Sequence, residues 1–268
     1  MSRPTWVTNL MKKGFPYRFL LARLTRVPIL GKIMDFLLFE GDDILYLPKN
    51  KTIEINQSVK PQDVVLPSHV VEHFIHKANY HWIMNTCICR DTMQCKDYPI
   101  GLGCLFMGEA AMDINPELGR PVTKEEALEH IKKCREAGLV HLIGRNKLDA
   151  VWLNVGPGNK LLTVCNCCPC CCLWRMLPDL APEISAKVTK MPGVSITATD
   201  ACAGCGTCET VCFVNAITVV DNRAVITDQC RGCGRCVDVC PQKALEISID
   251  DTYVEKSIDR ISQLVDVT

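Results

Sequence analysis

Residues 202–212 read CAGCGTCETVC, and residues 230–241 read CRGCGRCVDVCP. The first stretch places Cys202, Cys205, Cys208 and Cys212 in a C-x2-C-x2-C-x3-C run. The second repeats the run with Cys230, Cys233, Cys236 and Cys240, at a constant offset of 28. Neighbours repeat with it: Gly204 with Gly232, Gly206 with Gly234, Val211 with Val239, Ala216 with Ala244. This is an internal duplication. Three thiolates on one tight loop reach three irons of one cube, and the fourth reaches the other cluster. The spacing therefore assigns one [4Fe-4S] cluster to Cys202, Cys205, Cys208 and Cys240, and a second to Cys230, Cys233, Cys236 and Cys212. The short β-prone runs AITVV, AVIT and ALEISI frame these loops as small strands.

The stretch from 194 to 250 resembles the bacterial-type ferredoxins with two [4Fe-4S] clusters. The resemblance implies a small dicluster domain with an internal pseudo-twofold repeat. It departs at Cys212, which is followed by Phe213, whereas Cys240 is followed by the usual Pro241.

The chain has 19 cysteines in 268 residues. Upstream of the duplication lie Cys87, Cys89, Cys95 and Cys104, then the run CNCCPCCC at 165–172 with Cys165, Cys167, Cys168, Cys170, Cys171 and Cys172. Adjacent residues point different ways, so paired cysteines do not readily serve one cube. These ten thiols are expected to hold one or two further iron–sulfur clusters; zinc and free or disulfide-forming thiols are the alternatives. The run partly resembles the paired-cysteine sites of heterodisulfide reductases, which hold a non-cubane cluster. Those carry Cys-Cys-Gly, and none occurs here. Taken whole, the chain resembles a group of cysteine-rich ferredoxin-domain proteins of anaerobic bacteria and archaea.

The fold class read from the pattern is α+β. Residues 1–40 form a basic amphipathic segment, 41–190 a cysteine-rich helix-and-sheet domain, 194–250 the ferredoxin domain and 251–268 a tail. Residues 124–136 read as a helix, with a Thr123–Glu126 capping box before it and Gly138 after it. LVHLIG, VWLNV and LLTVC read as three strands, with a turn at GPGN, residues 156–159. Cys134 falls on the helix stripe and reads as a buried, inert thiol. His69, His73 and His76 share one face of a surface helix. His81, six residues before Cys87, is the histidine expected to donate a proton near the site. Arg90 is expected to pair with a substrate carboxylate, to offset cluster charge or to make a surface salt bridge.

Formal net charge is zero, which gives no argument for nucleic acid. Residues 1–39 nevertheless carry seven basic side chains against one acid, Asp35, and residues 194–250 carry seven acids against four bases. The first segment is expected to cap its domain, dock a partner or lie on an anionic membrane surface. No signal peptide or membrane span is read, and thiols on this scale suit a reducing cytoplasm. GLGCLFMG lacks the dinucleotide-binding register. The expected function is single-electron transfer to or from a redox protein partner. A reductase acting on a small substrate is the rival, and a cluster scaffold or sensor the third class.

Overall fold

The computed structural model describes residues 3–49, 67–250 and 252–268. Residues 50–66, which the sequence assigns to the cysteine-rich domain, lie outside the described residues. The chain folds as a mixed α/β assembly around a seven-stranded sheet. Its strands are β1 (Asp43–Tyr46), β2 (His81–Met84), β3 (Leu105–Met107), β4 (Gly119–Pro121), β5 (Val140–Arg145), β6 (Leu162–Cys167) and β7 (Val188–Lys190). They lie in the order β4-β2-β3-β6-β5-β1-β7. Every pairing is antiparallel except β1 with β7. The helices in chain order are α1 (Thr5–Gly14), α2 (Arg18–Leu24), α3 (Pro28–Leu38), α4 (Ser68–Lys77), α5 (Ile88–Thr92), α6 (Lys124–Glu136), α7 (Lys147–Leu153), α8 (Pro182–Ser185), α9 (Thr207–Val211), α10 (Arg235–Asp238) and α11 (Thr252–Leu264).

The strand period of two gives the sheet two unlike faces. Leu45, Ile143, Leu162 and Val164 face α4, α6 and α11 in one apolar core. Ile44, Tyr46, Val140, Leu142, Cys165 and Cys167 face the other way, toward Trp174, Leu177, Ile184 and Phe213. The Thr123–Glu126 capping box is present, and Gly138 follows α6 at φ 75°. Cys134 is fully buried, and burial pushes its thiol up to about 12.

Residues 151–155, VWLNV, are not a strand. They finish α7, where Asp149 accepts hydrogen bonds from Asn146 Nδ2 at 2.7 Å and Trp152 Nε1 at 2.8 Å. Asn154 then ends the helix in the left-handed region at φ 57°. An apolar run this short has no period that separates helix from strand. The expected tail is also different: α11 buries Val254, Ile258 and Ile261, followed by Val265 and Val267, in the first core.

The first forty residues form three helices, with Pro28 opening the third. Five of their seven basic side chains take partners on this chain. Arg3 donates to Val151 O, Lys12 pairs with Asp91 at 2.6 Å, Arg18 lies over the Phe15 and Phe19 rings, Arg23 pairs with Asp179, and Arg26 donates to Pro178 O. Their apolar side chains turn outward: Trp6, Leu10, Tyr17, Leu20, Ile29 and Phe36 are each more than half exposed. No helix among the described residues is long and apolar enough to cross a membrane.

The C-terminal region adds two small antiparallel pairs. β8 (Val194–Ala198) pairs with β11 (Leu245–Ile249), and β9 (Ile217–Val220) pairs with β10 (Arg223–Ile226). The 28-residue offset recurs in the backbone. Gly204 and Gly232 both have φ 63°, while Asn215 and Lys243 have φ 52° and 51°. A Cβ on Gly204 would lie 2.7 Å from the Asn222 backbone, so glycine is required there.

Candidate metal centres

The eight C-terminal cysteines sort into two quartets. Cys202, Cys205, Cys208 and Cys240 line a cavity of about 20 Å³. Cys212, Cys230, Cys233 and Cys236 line a second of the same size. Each quartet thus takes three thiols from one run and the last from the other. Cys212 sits just past α9 and accepts the Ala216 N–H at 3.2 Å; Cys240 accepts the Ala244 N–H at the same distance. Such N–H···S bonds offset negative charge on sulfur. The two quartets differ in depth. Cys205 is exposed, and its hydrogen bonds with Thr207 lower its thiol. Burial pushes Cys230, Cys233 and Cys236 up, Cys236 to about 12.

The ten upstream thiols also sort into two sets. Cys87 caps α5 and Cys89 lies in its first turn. With Cys104, Cys165, Cys167 and Cys172 they line a largely apolar cavity of about 130 Å³ that opens to the surface. Cys104 and Cys165 sulfurs are 3.9 Å apart, and thiol hydrogen bonds join Cys87 to Cys89 and Cys167 to both Cys165 and Cys172. Met11 and Lys12 of α1 and Phe15 just after it, with Trp152 and Trp174, complete the walls. The second set is Cys95, Cys168, Cys170 and Cys171, whose sulfurs all lie within 4.8 Å of one another. It has its own small core with Cys134 and Leu139. Cys167 and Cys168 are neighbours in sequence but fall in different cores.

The electrostatics split the six-thiol cavity: hydrogen bonding to a neighbouring thiol pushes Cys89 and Cys165 up, burial pushes Cys172 up, and Cys104 is also raised, whereas Cys87 and Cys167 are held low. Arg90 is fully buried and donates to the carbonyls of Pro99 at 2.8 Å, Asn166 at 2.7 Å and Leu102. Among the described residues it makes no salt bridge, one of the roles its sequence position suggested. A buried guanidinium without a carboxylate needs an anion nearby, and Cys87, Cys104, Cys167 and Cys168 surround it. Hydrogen bonding from Cys89 holds Cys87 down at about 7, with Arg90 adding to it against burial. Hydrogen bonds from Cys165 and Cys172 hold Cys167 well below an ordinary thiol, with Arg235 and Arg90 helping.

Several buried donors around the thiols lack an acceptor among the described residues: Tyr46 Oη, Arg18 Nε, Arg231 Nε and Arg235 Nε. Inorganic sulfide and thiolate are acceptors. The donor surplus, the cysteine quartets and the cavities together fit resident iron–sulfur groups.

His81 is not near these thiols' cavity walls. It is buried in β2, with Nε2 2.8 Å from Ile75 O, and burial lowers it. His73 and His76 lie exposed on α4. The histidines behind the thiol strand are His130 and His141. His141 Nδ1 lies 2.7 Å from Asn166 Oδ1, and burial lowers the ring to about 4. Asn166 Nδ2 and His130 Nε2 both approach Gly103 O, at 2.7 and 2.9 Å. The sequence carried one signal for this network: Asn166 stands between Cys165 and Cys167 on a strand, so it must face away from them. Tyr46 and Arg235 carried no such signal.

Two family models match the C-terminal region. The LdpA Fe-S cluster-binding domain matches residues 208–249, and the 4Fe-4S binding domain matches residues 197–218. No curated protein and no solved structure matches this chain. The matches and the thiol arrangement define an iron–sulfur protein with a ferredoxin-like, 4Fe-4S-binding C-terminal region.

Proposed function

We propose that the chain is an electron relay with three stations in line. The outer station is a [4Fe-4S] cluster on Cys202, Cys205, Cys208 and Cys240. The middle one is a [4Fe-4S] cluster on Cys212, Cys230, Cys233 and Cys236. The inner one is an iron–sulfur centre in the six-thiol cavity of Cys87, Cys89, Cys104, Cys165, Cys167 and Cys172. One observation carries this reading: Arg235, between Cys233 and Cys236, donates to the Cys167 carbonyl at 2.5 Å. Cys212, Cys230 and Cys233 also pack on the core that contains Cys167 and Cys172. Iron–sulfur groups supply one-electron steps, at potentials set by charge, hydrogen bonds to sulfur and exposure. The protein supplies the rest. Arg90 and Arg235 place positive charge beside the inner thiols, Tyr46 and Phe213 exclude water between stations, and Cys205 gives the outer station an exposed edge. Two of the four bases in 194–250, Arg231 and Arg235, are buried, so the outer surface is acidic and suits a redox partner with a basic patch. Anaerobic redox titration followed by electron paramagnetic resonance tests the relay. It expects interacting spins from neighbouring stations, and magnetically isolated C-terminal clusters alone would sink it.

The apolar cavity favours a second reading. Its apolar walls suit a small apolar ligand beside the thiols, so the inner centre would reduce such a substrate fed by the two outer clusters. A change in the spectrum of the inner centre on adding such a substrate supports this; spectra indifferent to all of them leave pure electron transfer. The outward apolar face of α1–α3 seats the chain on a lipid surface in this account. Trp6 and Tyr17 suit the interface, and Lys13 and Lys32 are exposed cations in a segment with one acid. Flotation with anionic liposomes, abolished in Trp6→Glu/Ile29→Glu, checks it; a protein that stays at the bottom of the gradient refutes it.

A further inference from the structure

Cys95, Cys168, Cys170 and Cys171 differ from both ferredoxin-region quartets in how closely they pack. Cys170 Sγ is 3.5 Å from Cys95 Sγ and 3.5 Å from Cys171 Sγ, and all four sulfurs lie within 4.8 Å. Among the described residues no other group of metal-ligating side chains is drawn so tight. Each ferredoxin-region quartet instead lines a small cavity of about 20 Å³. In a cube each thiolate binds a different iron, so the four thiolate sulfurs must stand outside an eight-atom core. Sulfurs within contact of one another leave no room for that core. They do leave room for one ion. A tetrahedral ion with metal–sulfur bonds of about 2.3 Å sets its sulfurs about 3.8 Å apart. The Cys95–Cys170 and Cys170–Cys171 separations, 3.5 Å each, fall about 0.3 Å short of that spacing.

The surroundings agree. The Cys171 N–H points at Cys168 Sγ at 3.3 Å, and the Asp97 and Tyr98 N–H groups point at Cys95 Sγ. Arg175 Nη1 donates to Cys170 O at 2.6 Å and fixes the loop. Cys168 and Cys171 are buried, and no carboxylate among the described residues joins the set. An all-thiolate, closed, four-coordinate set is the chemistry of a structural zinc or a single iron.

We infer that Cys95, Cys168, Cys170 and Cys171 hold one mononuclear metal ion, zinc or iron, separate from every iron–sulfur cluster of the chain. Binding releases the thiol protons and makes four metal–sulfur bonds, with no change of oxidation state required. The ion ties the 87–104 loop to the 165–172 loop. It thereby fixes Cys87, Cys89 and Cys104 against Cys165, Cys167 and Cys172. The inference does not depend on the relay.

The test sets total metal against acid-labile sulfide in full-length protein prepared without oxygen. It expects about one zinc, or about one iron in excess of sulfide, per chain. Cys95→Ser and Cys170→Ser should each lose that ion with sulfide unchanged. On the wild-type protein itself, zinc-edge X-ray absorption should show four sulfurs at about 2.3 Å and no neighbouring metal. If the ion is iron, Mössbauer spectra should show one isolated tetrathiolate site. Iron fully matched by sulfide with no zinc in the wild type overturns the inference. So does a loss of about four sulfides in either variant, which would mark a cube.

Discussion

Arg235 Nη2 lies 2.5 Å from the carbonyl oxygen of Cys167. The guanidinium also sits 5.6 Å from the centre of the Phe213 ring, which in turn lies 5.1 Å from Tyr46. One side chain thus joins the middle quartet to the strand that carries the inner thiols. Replacing Arg235 with Ala should leave the iron content unchanged and cost about 1–3 kcal/mol of stability. It should also shift a cluster potential downward, because a positive charge is lost beside it. Potentials from a redox titration unchanged within error would show that the contact is only structural.

Tyr46 offers a finer test. Its ring fills the core between Cys172, Cys167 and Cys233, and its hydroxyl has no acceptor among the described residues. Tyr46→Phe keeps the packing and removes one donor. If that donor serves a cluster sulfur, one potential moves to a more negative value and the others stay put. The check is a comparison of wild-type and variant titration curves.

The crossed pairing of the C-terminal cysteines predicts a pattern of non-additivity. Cys202→Ala and Cys240→Ala should each lose the same cluster, about four iron, and the double variant should lose no more. Cys202→Ala with Cys212→Ala should lose both clusters. Iron and sulfide analysis decides, and a Cys202/Cys240 double variant that loses about eight iron would refute the crossing.

The grouping of these eight thiols was legible in the sequence because the two C-x2-C-x2-C-x3-C runs repeat at a fixed offset, whatever the rest of the chain does. The capping box on α6 was legible for the same reason: its partners are three residues apart. The sorting of CNCCPCCC was only half legible. Alternation along β6 puts Cys165 and Cys167 together and Asn166 opposite, but which face meets Tyr46 depends on the β1–β5–β6 pairing. Phe213 read as a departure from the Cys-Pro pattern; the fold uses it as the plug between the two regions. Arg90 looked like a surface residue because its neighbours Asp91 and Thr92 are polar, and only the return of the 99–102 segment buries it. The outward apolar face of α1–α3 was hidden because its basic residues find partners far along the chain, such as Asp91 and Asp179.

Asp42 gives a pH prediction away from the thiols. Burial raises its carboxyl from the ordinary 3.8 to about 7, against the Lys147 N–H that it accepts. The folded state therefore binds this proton more tightly than the unfolded state. Its contribution is fully present below pH 4 and is lost as pH rises to about 7, then stays level. Asp42→Asn should be more stable than wild type at pH 8, by on the order of 2–4 kcal/mol, with the gap closing toward pH 4. Thermal unfolding of both proteins across that range is the measurement. A constant gap would mean that Asp42 does not titrate on unfolding.

The central claim is that the chain carries an iron–sulfur centre in the Cys87–Cys172 cavity besides the two clusters of its C-terminal region. Acid-labile sulfide counted in oxygen-free, full-length protein tests it most directly. The account predicts clearly more than eight sulfides per chain, near twelve, falling to about eight in Cys165→Ala/Cys167→Ala. A wild-type count of eight or fewer would contradict it.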